Sequence, residues 1–166
     1  MRGEIRNKER LLSQEDTLEL IKMAEHGVLA TINEANQPCT TALNHVYLDG
    51  ELYFHSGLEG EKLDNIKIHP DVSYFIIGVA DVIYDQFTTA FSSAVVHGTM
   101  TIVDDPEEKH RALTALVDRY SSEIIPSDAK RNFILDGLDC VSILKLVPEH
   151  ISGKARLRRK RPCLQY

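Results

Sequence analysis

The sequence predicts a single α+β domain built on an antiparallel barrel of about six strands, with helices at its periphery. Short β-prone runs are joined by links of hairpin length, and helical periodicity is confined to segments between them. The clearest single signal is Asp49-Gly50 between Val46-Tyr47-Leu48 and Leu52-Tyr53-Phe54, a two-residue turn whose type I′ geometry needs positive φ at both positions. Links this short cannot connect parallel strands, which need crossovers of a dozen residues or more. The chain of 166 residues has the length of one domain, enough to bury roughly two thirds of the surface its unfolded form exposes. No repeat, low-complexity tract or linker divides it.

The elements follow in order. Ser13 with Asp16 three residues later resembles a capping box, and Leu18, Ile21 and Met23 supply the apolar stripe, ending at Gly27, of a first helix of about three turns. Val28 to Asn33 reads as a strand, Glu34 to Pro38 as a turn, and Thr40 to Leu48 as the returning extended run. Tyr47 and Tyr53 flank the Asp-Gly turn and are expected to pack as a cross-strand aromatic pair. Gly60 to Ile66 changes to a helical period with Leu63 and Ile66 on one side, and must stop before His69-Pro70. Val72 to Ile77 and Ser93 to Val103 are further strands, and the conformation of Gly78 to Phe91 between them is left open by its irregular pattern. Asp105-Pro106-Glu107-Glu108 is a helix start with cap, N1 proline and first-turn acids, and Leu113, Leu116 and Val117 form the buried face of that helix. Ser127 to Leu135 reads as another helical piece and Cys140 to Val147 as a last strand.

Composition excludes several classes of function. The net charge is −6, which argues against a nucleic-acid coat, since binding to a phosphate backbone needs surplus cations. The exception is Lys154 to Arg161, where six of eight residues are Lys or Arg, a pattern expected of a solvated or disordered end. No run reaches the roughly 20 apolar residues of a membrane span and no secretory signal opens the chain, so the expected location is the cytoplasm. Cys39, Cys140 and Cys163 are odd in number and lack ligand spacing, which fits reduced thiols rather than disulfides or zinc. His45 and His97 stand in strands among apolar neighbours, as satisfied core or interface histidines do, and no metal site is expected.

The densest polar group in an apolar setting is Phe54-His55-Ser56-Gly57-Leu58-Glu59-Gly60-Glu61-Lys62, between a strand end and a helix start. Such a junction suits a phosphate: glycines admit close approach, the first helical N–H groups point at the anion, and His55, Ser56 and Lys62 add donors or charge. A polar loop facing water would also account for these residues.

The order LATIN, TTALNHVYLDGELYFHS, GEKLDNI, HPDVSYFIIG, SSAVVHGT, DDPEEKHRALTALVDRY and VSILKLVPEHISGKAR resembles the pyridoxamine 5′-phosphate oxidase-like superfamily, in its nitroimidazole-resistance-like branch. The likeness runs from about Arg10 to Arg156, leaving 157–166 as a basic tail. It implies a split β-barrel that dimerises and holds two FMN molecules at the interface, each touched by both subunits. It places Thr41, Ala42, Leu43 and Asn44 along the isoalloxazine ring, His55 and Ser56 near the ribityl phosphate, Lys62 in a pair with that phosphate, and Ser93 among the cofactor contacts. Where relatives often carry a charged residue this chain has Ser92, so one cation is absent. The activity implied is an FMN-dependent oxidoreductase that takes electrons from NADH or NADPH and passes them to a small electron-poor acceptor, with a nitroaromatic as one candidate. The alternative is a non-catalytic flavin- or haem-binding protein of the same fold. In either case the cofactor carries the chemistry, and no Ser-His-Asp set or carboxylate pair is expected.

Overall fold

A computed structural model describes residues 5–121, 123 and 125–156. It contains seven strands, β1 (His26–Ile32), β2 (Pro38–Asn44), β3 (Val46–Leu48), β4 (Glu51–Ser56), β5 (Asp71–Ile83), β6 (Thr88–Ile102) and β7 (Ser142–Arg156). Four helices accompany them, α1 (Gln14–Met23), α2 (Glu61–Ile68), α3 (Pro106–Tyr120) and α4 (Ser127–Gly137). All strand pairs are antiparallel, in the order β2-β1-β5-β6-β7-β4-β3, so the expected α+β antiparallel architecture is present as one curled sheet. Among the described residues no helix is long and apolar enough to cross a membrane.

The single extended run expected over Thr40 to Leu48 is two strands. The chain breaks at His45, because β2 pairs with β1 while β3 pairs with β4. These two strands are the opposite edges of the sheet, yet one residue separates them. The sheet must therefore curl until its edges meet, and this is how the barrel closes. Asp49 and Gly50 have φ of 51° and 96°, the positive pair that the β3–β4 turn requires.

The irregular segment from Gly78 to Phe91 is neither helix nor loop over most of its length. β5 and β6 run through it as a long hairpin, joined by a 3₁₀ turn at Tyr84–Gln86. Its irregular pattern reflects a bulge between Ile77 and Val79 and the absence of a covering layer: Ile77, Val79 and Val82 are each about half exposed, and Phe87 is 98% exposed. Gly78 is required at the bulge, since a Cβ there would lie 2.4 Å from Leu20 Cδ1 and 2.6 Å from Ser92 Oγ. Ser92 Oγ accepts the Val79 N–H at 3.1 Å and so stitches the bulge.

Period-two alternation divides the core into two layers. Leu52 and Phe54 point into the curl with Ile21, Leu29, Tyr74, Ile76, Val96, Met100, Leu144 and Leu146, and α1 and α2 add Ile21, Leu63 and Ile66. Tyr53 points the other way, onto α3 and α4, with Val46, Ile143, Leu113, Leu116 and Ile134. Tyr47 and Tyr53 are therefore not an aromatic pair: Tyr47 sits opposite Leu52, and Val46 opposite Tyr53, so the two rings lie on different faces. The outer layer is clasped by polar contacts, with Tyr53 Oη 2.7 Å from both Glu51 and Glu108 and Lys145 Nζ 2.9 Å from Glu108. The Tyr53 hydroxyl and then Lys145 hold the Glu108 carboxyl below its ordinary range.

Caps form as the sequence predicts: Ser13 Oγ accepts the Asp16 N–H, and Asp105 accepts that of Glu108. Two expectations fail in detail. α1 ends at Met23 rather than near Gly27, and Met23 is 73% exposed because the buried stripe runs through Thr17 and Ile21 instead. The last strand is far longer than Cys140 to Val147, so Lys154–Arg156 of the basic run belong to β7; the rest of that run lies outside the described residues.

Candidate functional site

β4 ends at Ser56 and α2 begins at Glu61, with Gly60 as its N-cap at φ 136°, a conformation that favours glycine. No side chain caps this helix. Leu63 is the first residue whose amide bonds back to the Gly60 carbonyl, at 2.9 Å, which leaves the Glu61 and Lys62 amides without an intrahelical acceptor. Lys62 is half-buried in the same turn, and His55 is exposed at the end of β4. Between them Ser56 is buried, and its Oγ has no hydrogen-bond partner. A buried hydroxyl left alone costs about 1–3 kcal/mol, so this corner is built to receive an acceptor. Glu61 is drawn away from it, accepting from Cys39 Sγ at 3.2 Å, and that carboxylate pushes the Cys39 thiol up from its ordinary range.

β2 carries Thr41 to Asn44 on an edge of the sheet, so part of its backbone faces away from β1 and can bond to a ligand. One acceptor has a donor within the chain: the Tyr74 hydroxyl lies 2.7 Å from the Leu43 carbonyl. Asn44 donates Nδ2 to the Glu25 carbonyl at 2.9 Å and shares with His55 the wall of a cavity of about 580 Å³ under α3 and α4. Asn44 and His55 thus share one neighbourhood, whereas Ser56, alternating with His55 along β4, points to the same face as Leu52 and Phe54. Ser93 does not join that neighbourhood within one chain, because it pairs with Lys154 whereas His55 pairs with Ile143, eleven residues away along β7. Across the other side of the sheet, through β5 and β1, Ser93 stands three strands from Asn44, about 14 Å at the usual strand spacing.

His45, between the two edge strands, is fully buried and takes no part in the corner's surface. Its Nε2 lies 2.8 Å from the Ile21 carbonyl, so Nε2 carries the proton of a neutral ring, and its Nδ1, 3.0 Å from Tyr74 Oη, is a second acceptor for the one hydroxyl proton that Tyr74 gives either to it or to the Leu43 carbonyl. Burial pushes its pKa down to about 4. It is the satisfied core histidine that its neighbours predict. His97 stacks on His150 with ring centroids 6.3 Å apart.

Sequence reasoning missed the roof of the 580 Å³ cavity, made by Leu113, Leu116, Val117, Tyr120, Ser121 and Phe133. The available signal was the apolar face of α3, which is wider than one contact with the sheet consumes. A larger cavity of about 740 Å³, between the N-terminal segment and residues 148–153, contains none of the predicted residues.

Several solved structures share this architecture. A protein described for 5-nitroimidazole antibiotic resistance from Bacteroides thetaiotaomicron superposes with a TM-score of 0.70 at 21% identity, over 87% of this chain and 86% of that one. A protein of Mycobacterium tuberculosis gives 0.75 at 22% identity, over 91% and 90%. An FAD-binding protein of Mesorhizobium loti gives 0.63 at 20% identity, over 89% and 98%. At these identities the likenesses establish the fold. No curated protein matches the sequence. The family model described as pyridoxamine 5′-phosphate oxidase matches residues 13–155, nearly the whole of the sheet and its helices, and the chain therefore belongs to that family.

Proposed function

We infer that this chain is a cytoplasmic flavoprotein that binds FMN between two copies of itself and passes electrons from a reduced nicotinamide to a small electron-poor acceptor. The observation that carries this reading is the unpartnered Ser56 hydroxyl beside the open amide turn of α2 and Lys62. A phosphate near charge −2 matches that set of donors. Bound FMN supplies hydride transfer, and the protein's share is to hold, orient and desolvate it. Ser56 and the α2 amides grip the phosphate, Lys62 neutralises it, and β2 offers backbone groups to the ring's polar edge.

The test is FMN affinity, read by quenching of flavin fluorescence. Lys62→Ala and His55→Ala are each expected to lose ten- to hundredfold, about 1.5–3 kcal/mol, as deletion of a charge-assisted contact does. Affinity unchanged in Lys62→Ala would place the phosphate elsewhere. Reduction of the bound flavin by NADH or NADPH and its reoxidation by an acceptor then separates an enzyme from a flavin store.

Support for the dimer comes from the distal β5–β6 hairpin, where Ile77, Val79, Val82, Tyr84 and Phe87 stand exposed together. A strip of that kind is covered by another chain or becomes an aggregation risk. Val79→Asp is expected to convert the dimer to a monomer on size-exclusion chromatography with light scattering, and to weaken FMN with it. A wild-type protein that runs as a monomer would refute the shared site.

A further inference from the structure

The cavity under α3 and α4 differs in chemistry from the phosphate corner that it adjoins. Its walls are mostly aliphatic and aromatic, with Leu113, Leu116, Val117, Phe133 and the ring of Tyr120 among them, and it is open to solvent. Tyr120 is held rigidly, with Oη 2.6 Å from the Glu25 carbonyl and 2.7 Å from that of His45, donating to one at a time while accepting from the His45 N–H. Phe133 is 65% exposed although it borders the cavity, so this face of α4 lacks a covering partner. One polar atom in the lining is left over: Ser121 Oγ is buried and has no hydrogen-bond partner.

We propose that this cavity is a binding compartment for a planar aromatic molecule, such as a quinone, whose ring packs on Tyr120 and Phe133 and whose carbonyl oxygen accepts from Ser121. Apolar walls with a few convergent polar groups suit an uncharged ring rather than a sugar or a phosphate. Lys130 is the one Lys or Arg in the lining. Asn44 and His55 share the lining, so a bound ring lies beside the strand assigned above to the flavin. The proposal rests on the flavin reading for its purpose, as the compartment of the electron acceptor, but not for its test.

The test uses flavin-free protein and 2-methyl-1,4-naphthoquinone, followed by isothermal titration calorimetry. Saturable binding at one site per chain is expected. Ser121→Ala should weaken it roughly five- to tenfold, the share of one hydrogen bond. Ala129→Trp, at an exposed helix position in the lining, should abolish it by filling the space without disturbing the core. Excess inorganic phosphate should not displace the quinone. No saturable binding by the wild type, equal affinity in Ala129→Trp, or displacement by phosphate would each overturn the assignment. Binding of the ring with no measurable affinity for FMN would remove the flavin reading and leave this site standing.

Discussion

Phe54→Ala is expected to destabilise the protein by about 3–5 kcal/mol, the range for removal of a fully enclosed aromatic ring. Phe54 is wholly buried, and its ring meets Tyr74 edge to face, with centroids 4.9 Å apart and planes at 78°, while His45 lies tilted at 6.4 Å. The three rings come from β4, β5 and the break between β2 and β3, and they fill the point where the curl closes. The backbone around them is tied by hydrogen bonds and cannot collapse onto a void, so the loss should sit near the top of the range. Phe54→Leu, which keeps most of the volume, should cost less than about 1.5 kcal/mol. Urea unfolding of both variants makes the measurement. A loss below 1 kcal/mol in Phe54→Ala would show that the closure does not depend on this cluster. Because His55 follows directly in the strand, the alanine variant should also loosen the phosphate corner.

The second large effect is an acid dependence traced to His45. The unfolded side chain titrates near 6.5 and the folded one near 4, because burial disfavours the cation; the charges of Arg119 and His26 push the same way, and the Ile21 carbonyl opposes them. The unfolded state therefore binds more protons between these values, and stability falls as the pH falls. The contribution is fully present above pH 6.5 and is lost as the pH drops towards 4, about 3 kcal/mol in all. Urea unfolding at pH 7, 5 and 4 should reveal the slope, and His45→Gln should flatten this part of it at the cost of lower stability at pH 7. An unchanged slope in His45→Gln would assign the acid dependence to other groups.

Local signals in the sequence were read well where the physics is local. The Asp49-Gly50 turn, the Ser13 and Asp105 caps and the stop before His69-Pro70 are decided by neighbours within four residues, and each forms as read. Errors gather where a distant partner decides. Nothing near His45 announces that Thr40 to Leu48 must divide, because the division is imposed by β1 and β4, which claim the two halves from opposite edges. The length of β7 was invisible for the same reason: Pro148 and Gly153 look like strand breakers until β6 is laid beside them. In the site, His55, Ser56 and Lys62 could be named together because they lie within eight residues. The α3–α4 cavity could not, since Leu113, Ser121 and Phe133 meet Asn44 only after folding.

The strand order carries a consequence for how the chain comes to be folded. Among the described residues β7 lies between β6 and β4 and is the only strand whose pairing joins the β1, β2, β5, β6 half to the β3, β4 half. As the protein leaves the ribosome, its first six strands can form two hairpin assemblies but not a ring, and the edges of β4 and β6 wait unpaired for a segment that begins 39 residues (103–141) after the end of β6. Closure of the barrel is thus governed, in its decisive step, by contacts of high sequence separation, and is slow by the standard of helical domains of this size. The nascent chain is exposed to edge-to-edge association until residues 142–156 arrive, which makes the final strand the element on which recovery of folded protein in a cell depends.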